Sequence, residues 1–404
     1  MPVLRPFHGI RYAERDTLRD LTCPPYDVIS PEEQHRLHEL HPHNAIRLEL
    51  ARAGSASGPK YEHVADTFAT WLRDGVLRRD EEPALYVYRQ DFVAPDGVRR
   101  RVAGVIGALE LEDFGTSSGV LPHERTMAGP KEDRLALLRA LAVNVSPIYG
   151  IYRGKGELGP FFDSLEHRPT EARFVDGDEI LHRLWAITGP AEIDMLAGAV
   201  ATGPLVIADG HHRYETALAY HRESAGEAGD HDAIMCFCVD ADNEGLVVLP
   251  YNRAVRSDLS PEDIATVLYE RYGGHESTDP SEPRFDHSFV FLLGDRRVAA
   301  GVSDADVVAR TGDRHPSWLA LDVVALHEVL LPEVFGERLQ ELRFSRDPQE
   351  IEEIVAKEGW TGILLRALEP TEVVDVATSG ERMPQKASYF WPKALTGLVF
   401  RSLR

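Results

Sequence analysis

The sharpest change of pattern along the chain is at Pro204-Leu-Val-Ile-Ala208, an apolar run that gives way at once to Asp-Gly-His-His-Arg. A short apolar run of this kind predicts a strand buried on both faces. The polar residues open a segment of helical spacing, 211–226, that closes at Gly226. Upstream, 61–77 spaces Val64, Phe68, Trp71 and Leu72 as one face of a helix before Gly75. Segments 84–93 and 100–114 predict strands, and Ala94-Pro-Asp-Gly97 predicts a hairpin turn between them. Residues 130–144 predict a helix, with Pro130 at its start and acidic residues in its first turn. Residues 233–250 predict two strands around an Asp-Asn-Glu-Gly turn. Beyond them the pattern predicts helix 261–272, strand 287–293, helices 317–330 and 347–358, strand 361–366 and helix 370–379. The Gly, Ser and Pro of 51–63 predict a surface loop.

Strands and helices mixed throughout predict an α/β or α+β fold. At 404 residues the chain has room for two domains, and the Pro- and Asp-rich stretch at 279–288 marks the boundary. The expected division is 1–278, carrying the His-His-Arg element, and 279–404, whose Met-Pro-Gln-Lys loop is a candidate to return to the same site.

Composition narrows the classes. Hydrophobic residues are 43% of the chain, which supports a sizeable core. No apolar stretch nears the ~18–20 residues needed to span a bilayer, and the N-terminus lacks the pattern of a signal peptide. A cytoplasmic protein with no membrane partner is expected. Net charge is 44 − 66 = −22, so nucleic acid is not an expected partner. One local cationic pocket can still hold a small anionic ligand. Three cysteines without a CxxC spacing argue against a disulfide framework or zinc knuckle. Cys236 and Cys238 are expected on one face of a buried strand.

Four polar residues directly after a buried strand are costly unless used. Backbone N–H groups at a helix start, with the dipole behind them, suit a phosphate. Gly210 would let it approach, Arg213 would offer a planar fork of donors, and His211 and His212 would add N–H groups. Asp209 could take a substrate proton or hold Mg²⁺. The plainer alternatives are a buried His pair with a capping Asp, and a metal site, though adjacent helical residues point ~100° apart.

Other clusters have a functional and a plain reading alike. In 121–140, His123, Glu124, Arg125, Lys131 and Arg134 crowd a Gly-Pro helix start; Glu124 is a candidate base and Lys131 and Arg134 candidate phosphate clamps, or the stretch is a solvated helix face. In 380–400, Lys386 and Lys393 flank Tyr389, Phe390 and Trp391, as a ligand-stacking loop or a packing loop. In 23–30, Pro24-Pro25 presents Asp27 on a stiff turn. In 41–50, Asn44 and Arg47 are expected at the head of a strand. Asp27, Asn44, Arg47, His123 and Arg125 are the candidate substrate contacts.

In order along the chain, PPYDVI, HPxNxxRL, HERTxxGPKEDR, NxSPIY, ADGHHRYETA, LPxxR and MPQKxxYFxPK resemble the bacterial and archaeal family called domain of unknown function 1015, over Pro6 to Phe400. The DGHHRYETA element by itself is similar to the phosphate-binding element of the ParB/sulfiredoxin-like fold, and most of all to the free-serine kinases of that fold. Sulfiredoxins carry a nucleophilic Cys where this chain has His211, which puts thiol chemistry in doubt. The chain also departs from the first family's pattern at Asn252, where a His is expected, and at Ala387, Ser388 and Trp391.

The resemblance implies a ParB/sulfiredoxin-like nucleotide-binding core with additions. It also implies ATP or another nucleotide with Mg²⁺, and phosphoryl transfer to a small hydroxyl-bearing metabolite, serine first. Asp209, Glu124, His212 and Lys386 are then the candidate catalytic residues. Gly210, His211, His212, Arg213, Lys131, Arg134 and Lys393 are the candidate nucleotide contacts. The alternatives are a nucleotide-binding switch without turnover, and a phosphohydrolase or metal-dependent hydrolase using His123, His211 and His212.

Overall fold

Leu205, Val206 and Ile207 are fully buried, and Leu205–Asp209 forms a strand inside a large sheet. The computed structural model describes residues 1–52, 61–115, 118–124, 129–226, 228–278 and 284–404. Arg125 and most of the 51–63 loop lie outside the described residues, as does 279–283 of the expected boundary.

The chain forms two compact units. The first comprises Met1–Pro122, Thr126–Leu246 and Pro392–Arg404. Among the described residues its main sheet has nine strands. Their order is Val120–Pro122, Leu205–Asp209, Ile148–Tyr152, Ala233–Asp240, Arg99–Glu110, Leu85–Val93, Leu181–Ile187 and Ala172–Val175, with Leu4–Arg5 added beside Arg99–Glu110. Leu205–Asp209 runs parallel to Val120–Pro122 and antiparallel to Ile148–Tyr152, so the sheet is mixed. The predicted hairpin is present, with Gly97 at φ 80° and Ala94 N donating to Val98 O at 2.9 Å. Cys236 and Cys238 are fully buried core residues on one face of their strand, Sγ to Sγ 3.6 Å. The C-terminal strand Phe400–Ser402 joins a smaller sheet with Gly9–Tyr12, Leu77–Arg79 and Val143–Asn144.

The second unit comprises His123–Arg125 and Val247–Trp391. Among the described residues its antiparallel sheet has six strands, in the order His275–Glu276, Arg296–Val302, His287–Leu293, Thr361–Leu365, Asn252–Ser257, Leu339–Ser345. Helix Pro348–Glu358 covers it through Ile351 and Val355, which pack with Val290, Leu292 and Leu364. Position 278/279 falls within this unit. The mixed α/β architecture is the one expected, and no helix among the described residues is long and apolar enough to cross a membrane.

Two local expectations are corrected. Residues 45–50 are not a strand: Ile46–Glu49 is a helical turn. Asn44 builds it, since its Oδ1 accepts from Ile46 N at 2.8 Å and its Nδ2 donates to Asp20 O and Thr22 O at 2.7 and 3.1 Å. An Asn that satisfies the backbone locally competes with strand pairing. The two strands expected in 233–250 are present as Ala233–Asp240 and Val247–Leu249, and the second pairs with Tyr389–Trp391. Helix 317–330 is broken into Pro316–Leu319, Asp322–Ala325 and a π-turn at Leu326–Leu330. The cause of the π-turn is Pro332, which has no N–H for the carbonyl of residue 328.

Candidate functional site

Asp209 stands at the end of its strand, where the pairing register with Tyr149 shifts after Ile207. A bulge of this kind re-aims the side chain that follows it. Gly210 then turns the chain at φ 91°, a conformation that disfavours any other residue. A Cβ on Gly210 would lie 2.8 Å from Ile148 Cγ2 and 3.1 Å from the Arg213 guanidinium. Gly210→Ala is therefore expected to lower unfolding free energy by about 1–3 kcal/mol, read by urea titration. The first bond inside helix His211–Glu223 runs from Tyr214 N to Gly210 O at 3.0 Å. The preceding N–H groups thus belong to the helix end, where the dipole favours negative charge.

Charge is concentrated just there. Arg213 Nη2 donates to Asp209 Oδ2 at 2.7 Å, and Nη1 donates to Pro147 O at 2.6 Å and Ser146 Oγ at 3.1 Å. Lys393 pairs with the other oxygen of Asp209. Burial opposes ionisation of Asp209, but Lys393 and Arg213 outweigh it and hold the carboxyl below its usual 3.8. A carboxylate held low stabilises the fold above its unfolded pKa and ceases to do so as pH falls towards the folded one. Urea midpoints are expected to drop as pH falls below about 4, and less steeply in Asp209→Asn.

Asp27 sits on the short 3₁₀ turn Tyr26–Val28 after Pro25. Its residue is exposed to solvent, with the charges of Asp209, Arg213 and Lys393 within electrostatic reach of its carboxyl. Desolvation and the charge of Asp209 push its carboxyl above 3.8, against the pull of Arg213 and Lys393. The two carboxylates are thus driven in opposite directions. Such a division of roles between acids is what acid–base chemistry uses.

Beneath them lies Glu49, which the sequence reading passed over. It is 1% exposed; its Oε1 accepts from Tyr26 N and Ser146 Oγ, both at 3.2 Å, and its Oε2 has no partner. Burial raises its pKa, although Arg134 and Arg213 oppose this. Glu49, Arg134, Ser146 and Arg213 line a cavity of about 50 Å³. An acid inside "IRLEL" was the available signal, since buried Glu is rare unless partnered.

The other sequence candidates divide. In the first unit, Arg134 is buried, donates to Glu49 O at 2.7 Å and covers the Tyr26 ring at 4.5 Å. It is a brace here, not an open clamp. Lys131 pairs with Glu215. His211 is buried and His212 half-buried at the helix start. Asn44 serves the backbone, and Arg47 donates to His38 O at 2.8 Å.

In the second unit, His123 is buried with Nε2 3.1 Å from Ser388 Oγ, and Glu124 bridges to Met383. Lys386 is exposed, with Nζ 5.3 Å from the centre of the Tyr251 ring. Asn252 is buried and accepts from Leu365 N at 3.2 Å, so the departure from His falls at a sheet position. The aromatic run of 380–400 is a packing strand in part, with Tyr389 and Phe390 buried.

A resident Mg²⁺ at Asp209 does not fit. Each carboxylate oxygen already bears a cation, and among the described residues no three metal-ligating side chains cluster.

Together these features define a mixed α/β protein with paired carboxylates and cations gathered at a glycine-led helix start. The chain belongs to the family described as "Protein of unknown function (DUF1015)", whose model matches residues 4–324. No curated protein matches it. Among solved structures it is similar to a conserved hypothetical protein from Pyrococcus furiosus, at 13% identity and TM-score 0.33, covering 67% of this chain and 87% of the other. It is similar to free serine kinase in complex with AMP, at 13% identity and TM-score 0.37, covering 71% and 88%. It is also similar to SbnI with C-terminal truncation from Staphylococcus aureus, at 11% identity and TM-score 0.39, covering 72% and 85%.

Proposed function

We propose that this protein is a phosphotransferase that binds a nucleotide by its phosphates at the start of helix His211–Glu223 and phosphorylates the hydroxyl of a small metabolite. The observation that carries this reading is the Gly210-led helix start at which Arg213 and Lys393 are gathered on the two oxygens of Asp209, with Asp27 within electrostatic reach of all three. Phosphoryl transfer needs a phosphate cradle, cations for the transferring charge and a positioned acceptor. In this reading Gly210 to Arg213 form the cradle, and Lys393 with Arg213 face the transferring group. Asp27 takes the acceptor proton, because its raised pKa makes it the better base of the two. Asp209 holds the two cations in place. Magnesium belongs to the incoming nucleotide.

Serine is the first acceptor to test. Incubating the protein with ATP, ADP or CTP, magnesium and single hydroxy amino acids is expected to yield one phosphorylated acceptor by mass spectrometry. Free inorganic phosphate as the sole product would mean hydrolysis and would refute the reading.

One observation favours a second reading, a nucleotide-driven switch. Both terminal nitrogens of Arg213 are already held by Asp209, Ser146 and Pro147, so a phosphate that competes for them would loosen those bonds. Such a switch would bind nucleotide, change conformation and leave it intact.

A further inference from the structure

The second unit buries a positive charge that no carboxylate answers. Arg253, in strand Asn252–Ser257, is 0% exposed, yet no described carboxylate pairs with it. Its Nη1 donates to Tyr251 O, its Nη2 donates to Lys386 O at 3.2 Å and lies 3.1 Å from His327 Nε2, and its Nε has no partner. Burial pulls its pKa down to about 9, and burial followed by the Arg253 charge takes His327 to about 4. Arg253 remains a cation at neutral pH and His327 remains neutral. Burying an uncompensated cation is expensive, and here the guanidinium serves to grip two backbone carbonyls.

What it grips is strained. Lys386 has φ 57°, in the left-handed region that a lysine enters only at a cost. Its exposed ammonium lies over the Tyr251 ring, 5.3 Å from the ring centre. The Tyr251 and Tyr389 rings meet edge-on at 5.9 Å, and the exposed Arg346 guanidinium lies 4.3 Å from the centre of Tyr389. Neither Lys386 nor Arg346 has a carboxylate partner among the described residues, in a chain of net charge −22. Two exposed cations on adjoining tyrosine rings, with the buried Arg253 guanidinium holding the backbone of one of them, make a local cationic patch that an anion would complete.

We propose that Lys386 and Arg346, set on the Tyr251–Tyr389 pair with Arg253 beneath, form a binding site for a small oxyanion, the phosphate or carboxylate of a metabolite. Arg253 is a positioning residue and the two exposed cations are the contacts. The proposal rests on residues of the second unit alone and not on the reading given for the helix start of the first.

The test is hydrogen exchange followed by mass spectrometry on the full chain, in millimolar inorganic phosphate, succinate or chloride at one ionic strength. Phosphate or succinate is expected to slow exchange in 247–253 and 383–391, and the more effective of the two identifies the anion. Lys386→Gln and Arg346→Gln are expected to weaken this protection, each by about tenfold in anion concentration. Lys386→Gly, which releases the strain and removes the ammonium, is expected to lose the protection while its melting temperature rises. Protection confined to 205–215 would overturn this site and leave the first-unit reading standing. Protection of 383–391 that survives in both Gln variants would overturn the assignment, and so would its absence in wild-type protein with either anion.

Discussion

Asp27→Asn is expected to lower turnover by about 10²–10⁴-fold while nucleotide affinity stays close to wild type. In the proposed reaction the acceptor hydroxyl loses its proton to Asp27 as it attacks phosphorus. Asparagine keeps the size and the turn but not the basicity. The same variant is expected to be more stable than wild type at neutral pH. A carboxyl whose folded pKa is raised disfavours the folded state once pH exceeds its unfolded pKa, and Asp27 is in that position. Lost turnover with gained stability separates a chemical role from a structural one. Equal loss of both would remove Asp27 from the mechanism. The pH profile follows: the acid limb of kcat reports a group above the usual 3.8 and disappears in the variant.

Lys393→Met is expected to destabilise the protein by about 3–5 kcal/mol. Asp209 is 14% exposed, and its two oxygens are answered by Lys393 and Arg213. Removing one cation leaves a mostly buried carboxylate half compensated. Lys393→Met/Asp209→Asn is expected to recover much of the loss, and the double-mutant cycle isolates the pair. Additive losses in urea titrations would mean that the lysine stem and not the charge supplies the stability.

The polar element at 208–217 was legible because its cost is local: a buried strand, then charge, then helical spacing. The strand, the left-handed Gly210 and the helix lie where the pattern placed them. What it missed depends on tertiary contact. Asp209 had the look of a free base or metal ligand, but Lys393 is 184 positions away and takes one of its oxygens. Arg134 had the look of a clamp because nothing in its neighbourhood showed that Glu49 and Tyr26 would close over it.

Asp27 was equally matched between turn and contact until Asp209 was found to act on it. At 45–50 the alternation of Ile46, Leu48 and Leu50 with polar residues suits a strand, while the amide bonds of Asn44 that decide the matter reach back to Asp20 and Thr22. The return of Pro392–Arg404 to the first unit was likewise invisible, since Phe400–Ser402 finds its partners at Gly9–Tyr12 and Val143–Asn144.

The central claim is that the helix start holding Asp209, Arg213 and Lys393 transfers a phosphoryl group under the control of Asp27. A single-turnover ³¹P NMR experiment tests it most directly, with protein in excess over nucleotide, serine present, and wild type run beside Asp27→Asn. A new phosphomonoester resonance is expected in wild type, rising as the terminal nucleotide phosphate falls, with an intact nucleotide spectrum in the variant. A nucleotide that binds wild-type protein, shifts its melting temperature and keeps every phosphate resonance would contradict the claim.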